Sequence, residues 1–197
     1  MENFSPSCER NKQVILEQIA ARLKQHSTVF EVGSLSGQHA LHFTQHRPDI
    51  RWQCSDIKPH LAPLANNIRD FGGDNLLAPV HLDLIDAKTW QQTQMDCLYT
   101  ANTLHIVAPA LVERFFTLAQ SIVKSGGTLM IYGPFKYQGQ YTSSSNAEFQ
   151  QWLLDRDPQS GIRDIEWIES LAANSNFSLH EDIAMPANNQ LLIFYRQ

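Results

Sequence analysis

The chain has 197 residues, 43% of them apolar and 18% charged, with a formal net charge of −5. That length and balance fit one soluble globular domain with a sizeable core. The acidic charge, with no run of basic residues, argues against double-stranded nucleic acid as the main partner. Three cysteines, Cys8, Cys54 and Cys97, include no C-x-x-C pair. This argues against a disulfide framework or structural zinc site and fits a cytoplasmic protein. The first residues lack an apolar signal core, and no stretch approaches about 18 apolar residues, so no membrane crossing is expected.

An N-terminal tail is predicted to about Glu9, then a helix over residues 11–26, with Val14, Ile15, Ile19 and Leu23 on one face. The first strand is "STVFEVG". A helix follows from about Gln38 and stops before Pro48. The second strand is "IRWQCSD", with alternate residues facing opposite ways. A helix over residues 61–71 ends at Gly72-Gly73, and "APVHLDL" and "MDCLYTAN" are the next strands. Pro109 starts a helix that runs to Lys124, and "GTLMIYG" is the fifth strand. A polar stretch over residues 134–145 leads to helices at 147–154 and 164–174. The closing strands are "FSLHEDIA" and "QLLIFYR".

Five strand–helix alternations imply a parallel sheet covered on both faces. The final pair, joined only by "MPANN", must form an antiparallel hairpin. The expected fold is α/β: a Rossmann-like, doubly wound, mostly parallel seven-stranded sheet with a C-terminal antiparallel hairpin. It forms a single domain over residues 1–197, with 1–26 as N-terminal tail and helix and 134–163 as a lid or acceptor-side insertion. Ligands of such sheets bind beyond the carboxyl ends of the strands.

The stretch "VFEVGSLSGQHA", residues 29–40, is a strand, a glycine loop and a helix start. Its spacing fits neither G-x-x-x-x-G-K-[ST] nor G-x-G-x-x-G. A phosphate loop and a nicotinamide-dependent oxidoreductase are therefore both disfavoured. Three acidic residues close successive strands: Glu31, Asp56 and Asp83. Such carboxylates can accept ribose hydroxyls and an adenine amino group.

The stretches "ERNKQVIL", "FEVGSLSGQHALHF", "RWQCSD", "TANTLHI", "GGTLMIYGPF", "YTSSSNAEF", "RDPQSGIRD" and "MPANNQLLIF" together span residues 9–194. On them the chain resembles class I S-adenosylmethionine-dependent methyltransferases, and more closely the uncharacterised group called methyltransferase-like protein twenty-six. The resemblance implies S-adenosyl-L-methionine as cofactor. It places Glu31, Gly33, Ser34 and Gly37 in the cofactor loop, Asp56 at the ribose, Asp83 and Leu84 at the adenine, and Asn102 near the amino group. One residue departs from the pattern: Leu35 stands where the group has glycine. Leucine is strongly disfavoured at positive φ. Either the loop keeps its path and Leu35 turns aside, or Leu35 fills part of the pocket.

Methyl transfer needs alignment and water exclusion, and a base only where the acceptor holds a proton. His105, after the fourth strand, is the catalytic candidate, with an ordinary pKa near neutrality; the alternative is a histidine that merely packs. The residues "ANTL" replace the N/D-P-P-Y pattern of enzymes acting on planar amines. The substrate candidates are Arg10, Tyr132, Phe135, Tyr141, Ser143 and Asn146, and "GIRD" at 161–164 can close over a ligand. A polar surface connection is the competing reading of the tyrosine- and serine-rich loop. His39, His42 and His46 are read as an exposed helix face, and no metal is expected. The leading function is methyl transfer to a small molecule. The alternative is a cofactor-binding protein without transfer activity that acts through partners.

Overall fold

The computed structural model describes residues 1–90 and 93–197. Among these described residues seven strands form one sheet in the order β3-β2-β1-β4-β5-β10-β9, as expected for the doubly wound class. The chain divides into two compact units, Met1–Tyr99 and Thr100–Gln197.

The first unit holds α1 (Pro6–Ile19), β1 (Thr28–Val32), α2 (Gln38–His46), β2 (Arg51–Asp56), α3 (Lys58–Phe71) and β3 (Leu76–His81), and most of β4 (Met95–Ala101). β1 pairs in parallel with β2, Glu31 opposite Cys54, and β2 in parallel with β3. Two predictions for α1 are corrected. It begins earlier, because the Ser5 hydroxyl caps the Cys8 amide and Pro6 occupies the first turn. It also ends well before residue 26. The Arg47 guanidinium, itself held by Asp49, takes the carbonyls of Ala20 and Leu23, which a continuing helix would need. Leu23 is buried all the same, so the apolar spacing is kept without the helix.

The core of this unit is aromatic. Phe43, Trp52 and Tyr99 meet edge-on with ring centroids 5.4–5.8 Å apart. His39 stacks on Phe43 and bonds the Asn11 side chain at 2.7 Å. Burial pulls its pKa down to about 3. The expected exposed histidine face is therefore wrong for His39, which is a neutral core residue. Cys54 and Cys97 are buried free thiols, as their apolar setting predicts.

The second unit holds α4 (Pro109–Ile122), β5 (Val123–Gly133), β6 (Phe135–Tyr137), β7 (Gln140–Tyr141), α5 (Ser144–Arg156), β8 (Arg163–Asp164), α6 (Ile165–Asn174), β9 (Phe177–Met185) and β10 (Asn189–Arg196). β10 lies antiparallel between β5 and β9, which is the predicted hairpin. The "MPANN" link turns through Ala187 and Asn188, both at positive φ. The stretch read as a polar loop, residues 134–145, instead holds β6 and β7, which β8 joins in a three-stranded sheet of order β7-β6-β8. Its hairpin turns at Gln138 and Gly139, both at positive φ. Among the described residues no helix is long and apolar enough to cross a membrane.

Candidate functional site

The glycine loop leaves β1 along a path that needs left-handed backbone. Gly33 and Gly37 have φ of 76°, and Leu35 between them has φ of 49°. Leu35 thus holds the conformation for which a glycine would be chosen, at a cost of about 1–2 kcal/mol. The backbone at Leu35 is left-handed, which the first of its two readings requires. Gly37 is needed twice over, since a Cβ there would lie 2.9 Å from Leu64 Cδ1 of α3.

Glu31, at the end of β1, is 2% exposed. Its Oε2 accepts from Trp52 Nε1 at 3.0 Å, Ser34 Oγ at 2.9 Å and Cys54 Sγ at 3.6 Å. Burial pushes the Cys54 thiol well up, so it donates as S–H. Among the described residues Oε1 has no hydrogen-bond partner. Burial outweighs these bonds and pushes the carboxyl up to about 7, with the nearby Asp56 charge adding to the rise. Ser34 ties the loop to β2: its hydroxyl accepts from the Ser55 amide, and the Ser55 carbonyl accepts from the Gly33 and Ser34 amides.

Asp56 ends β2, 8% exposed. Its Oδ2 accepts from the Leu35 amide at 2.7 Å, and its Oδ1 from the Ile57 amide and His60 Nδ1 at 2.8 and 2.9 Å. A carboxylate has about four acceptor positions, so Oδ2 keeps capacity for one further donor. Asp83 lies just beyond β3. Its Oδ1 accepts from the Ile85 amide, and its carbonyl from Thr89 Oγ1 and Trp90 Nε1, which fixes the turn that carries the buried Leu84. Two residues were not picked out from sequence. Ile57 and Ile85 follow these acids closely and are 42% and 65% exposed. An aliphatic residue left in a loop just after a strand-end acid is the signal that would have found them.

The N-terminal residues are tied to the same loop. Gln38 Oε1 accepts from the Ser5 amide and Ser36 Oγ, and its Nε2 donates to Glu9. Asn67 Nδ2 donates to the carbonyls of Glu2 and Ser36. The predicted tail is therefore a strap on the loop. Arg10, on α1, is exposed and bonds Ser7.

In the second unit, Asn102 has φ of 55° and donates its amide to the Tyr132 carbonyl at 2.8 Å. His105 is 6% exposed, its ring edge-on to Phe149 at 5.4 Å. Burial, helped by the Arg163 charge, pulls its pKa down to about 4, so the expectation of near neutrality is corrected. Among the described residues neither ring nitrogen has a hydrogen-bond partner. The turn that carries it is clamped through the main chain. Gly161 N donates to the His105 carbonyl at 2.8 Å, Ser160 Oγ to Ile106 at 3.0 Å, and Arg163 to Leu104 and Val107 at 3.1 and 2.5 Å. The "GIRD" segment thus grips the histidine turn.

The other substrate candidates have structural work. Tyr132 and Phe135 are buried in β5 and β6. Tyr141 lies under the Lys136 ammonium, 5.7 Å from the ring centroid. Ser143 caps α5, and Asn146 donates to Thr142 Oγ1 and to the Asn188 carbonyl. No group of three or more potential ligands could hold a metal ion among the described residues.

Comparison with solved structures agrees with this architecture. An O-methyltransferase family protein from Burkholderia thailandensis superposes with a TM-score of 0.84 at 18% identity, covering 97% of this chain and 56% of its own. A putative O-methyltransferase from Nostoc punctiforme gives 0.81 at 16%, covering 97% and 57%. Human N-acetylserotonin methyltransferase, solved with its bound cofactor SAM, gives 0.79 at 12%, covering 96% and 52%. At such identities the likeness establishes the fold, and the chain spans a little over half the length of these proteins. The family model that matches covers residues 2–196, and the chain belongs to that family, described as protein of unknown function DUF938.

Proposed function

We propose that this chain is an S-adenosylmethionine-dependent methyltransferase acting on a small molecule, of the kind grouped as methyltransferase-like protein twenty-six. One observation carries the reading. Glu31 leaves a carboxylate oxygen without a partner, at the mouth of a loop whose three left-handed residues and strand-end acids suit a nucleoside bearing an amino acid. Glu31 Oε1 takes the cofactor's ammonium, Asp56 Oδ2 a ribose hydroxyl, and Asp83 with Leu84 the adenine, between the side chains of Ile57 and Ile85. Gly33, Ser34 and Gly37 supply the close backbone, and Asn102 contributes main chain on the amino-acid side.

The cofactor supplies an electrophilic methyl on a cationic sulfur. The protein's part is to align, to exclude water and to receive a proton where the acceptor carries one. His105 is the candidate for that proton. Its ring is neutral throughout the physiological range and its turn is rigidly held. Arg10, Tyr141, Ser143 and Asn146 remain candidates for acceptor contacts, and Tyr132 and Phe135 for the wall behind them. The reading as a binding protein without transfer activity gains no support from the backbone at Leu35, which is left-handed like that of Gly33 and Gly37.

Calorimetric titration with S-adenosylmethionine and S-adenosylhomocysteine tests the proposal, with Asp56→Asn as control. Micromolar binding that weakens at least tenfold in the variant is expected. Absence of binding by the folded wild-type protein would refute it.

A further inference from the structure

The second unit contains a buried polar group that the functional reading does not use. Gln190 begins the core of β10 and is 8% exposed, and its Oε1 is fully buried with no hydrogen-bond partner. Buried carbonyl oxygens are nearly always paired, so this one calls for an explanation. The register gives its surroundings. Gln190 stands opposite Gly133 of β5 on one side and Ala184 of β9 on the other. Residues directly opposite in an antiparallel pair project from the same face. The glutamine side chain therefore rises from that face between two small neighbours. Gly133 has no side chain there, and the ring of His105 fills part of the space: a Cβ at Gly133 would lie 3.5 Å from His105 Nδ1. Phe149 borders the ring, and α5 is anchored at this end of β10 by the bond from Asn146 to the Asn188 carbonyl.

A buried amide oxygen and an imidazole with unpaired nitrogens thus share one sheet face beside a bare glycine. We propose that Gln190 and His105 form a ligand subsite that takes an uncharged molecule through an O–H or N–H group, donated to Gln190 Oε1. An anionic ligand is disfavoured. The cation that reaches His105 is Arg163, and its guanidinium is committed to the carbonyls of Leu104, Val107 and Gln159. A cationic ligand would leave its charge in an apolar surround without a counter-charge. Under the proposed methyltransferase reading, on which this assignment rests, the subsite selects the methyl acceptor.

The test uses phenol, anisole and benzoate as probes on the full chain, following the Gln190 side-chain amide and the His105 ring by NMR. Phenol is expected to shift both and to bind at least tenfold more tightly than anisole, which lacks the donor, or benzoate, which is charged. In Gln190→Leu the preference for phenol over anisole should vanish while the melting temperature holds or rises, since a buried unpaired oxygen is removed. Gln190→Met serves if the leucine variant does not fold. Equal titration by phenol and anisole, or a preference that survives in the variant, would overturn the assignment. Calorimetry with S-adenosylhomocysteine, run in parallel, separates the two claims. Cofactor binding without phenol preference removes the subsite alone. Phenol preference without cofactor binding leaves the subsite standing and removes the enzyme reading.

Discussion

Replacing Glu31 by glutamine should make the protein more stable at neutral pH, and by an amount that depends on pH in a calculable way. Burial raises the Glu31 carboxyl from 4.5 to about 7. The folded state therefore holds this proton after the unfolded chain has released it. Between those two values the folded state binds more protons, so stability falls as pH rises, and the full cost is reached above pH 7. With one pKa unit equal to about 1.36 kcal/mol, the cost is about 1 kcal/mol at pH 5 and about 3 kcal/mol at pH 8. The amide of Glu31→Gln does not titrate, though it can still accept from Trp52 and Ser34. Any lost hydrogen bonding enters as a constant offset. Urea unfolding of both proteins at pH 5, 6, 7 and 8 should show the variant gaining about 2 kcal/mol on the wild type across the range. A difference that stays constant within about 0.5 kcal/mol would refute the argument. The same ionisation predicts that S-adenosylhomocysteine binds about eightfold more tightly at pH 7.5 than at pH 6, as the ionised fraction of Glu31 rises.

Three further outcomes follow from the site. Leu35→Gly should preserve cofactor affinity within about threefold and change stability by less than about 1 kcal/mol in urea melts, because relief of the left-handed strain is offset by a more flexible unfolded chain. Gly37→Ala should lower stability by roughly 1–3 kcal/mol in the same assay, since the Cβ adds a close contact with Leu64 to a left-handed backbone. For His105, kcat at saturating cofactor and acceptor should be flat from pH 8 down to about 5.5, with the acid limb near 4 where the ring takes up its proton. His105→Ala should lower kcat by about 10²–10⁴, and an acid limb near 6.5 in the wild type would remove the histidine from that role.

The elements with strong periodicity were legible in the sequence. The apolar spacing of α1 marks its buried face, Pro109 marks the start of α4, and a five-residue link admits only a hairpin before β10, whereas the alternation read in β2 is not one of burial, since Trp52 to Asp56 are all buried. The positions of the strand-end acids, at the ends of β1 and β2 and just beyond β3, were legible from the strand pattern. What stayed hidden depended on partners distant in sequence. The end of α1 is set by Arg47, and β6, β7 and β8 are too short for alternation to register. His39 looks exposed by helical spacing until Asn11 and Tyr99 are brought to it. Gln190 reads as an ordinary polar position in a strand. Only the register, with Gly133 opposite and no partner for its oxygen, marks it out.

The clamp on the His105 turn acts on carbonyls, not on side chains. Every residue has a carbonyl, so the grip of Ser160, Gly161 and Arg163 is indifferent to which amino acids the turn carries. Ile106, exposed, and Val107, half-buried, are open to replacement without loosening the histidine's position, whereas Leu104 is buried and has packing of its own to keep. A lineage can therefore reshape the surroundings of that imidazole, and with them what it meets, while its placement is inherited unchanged. Arg163 has no such latitude: lysine in its place presents a point charge and cannot span two carbonyls as a planar fork does.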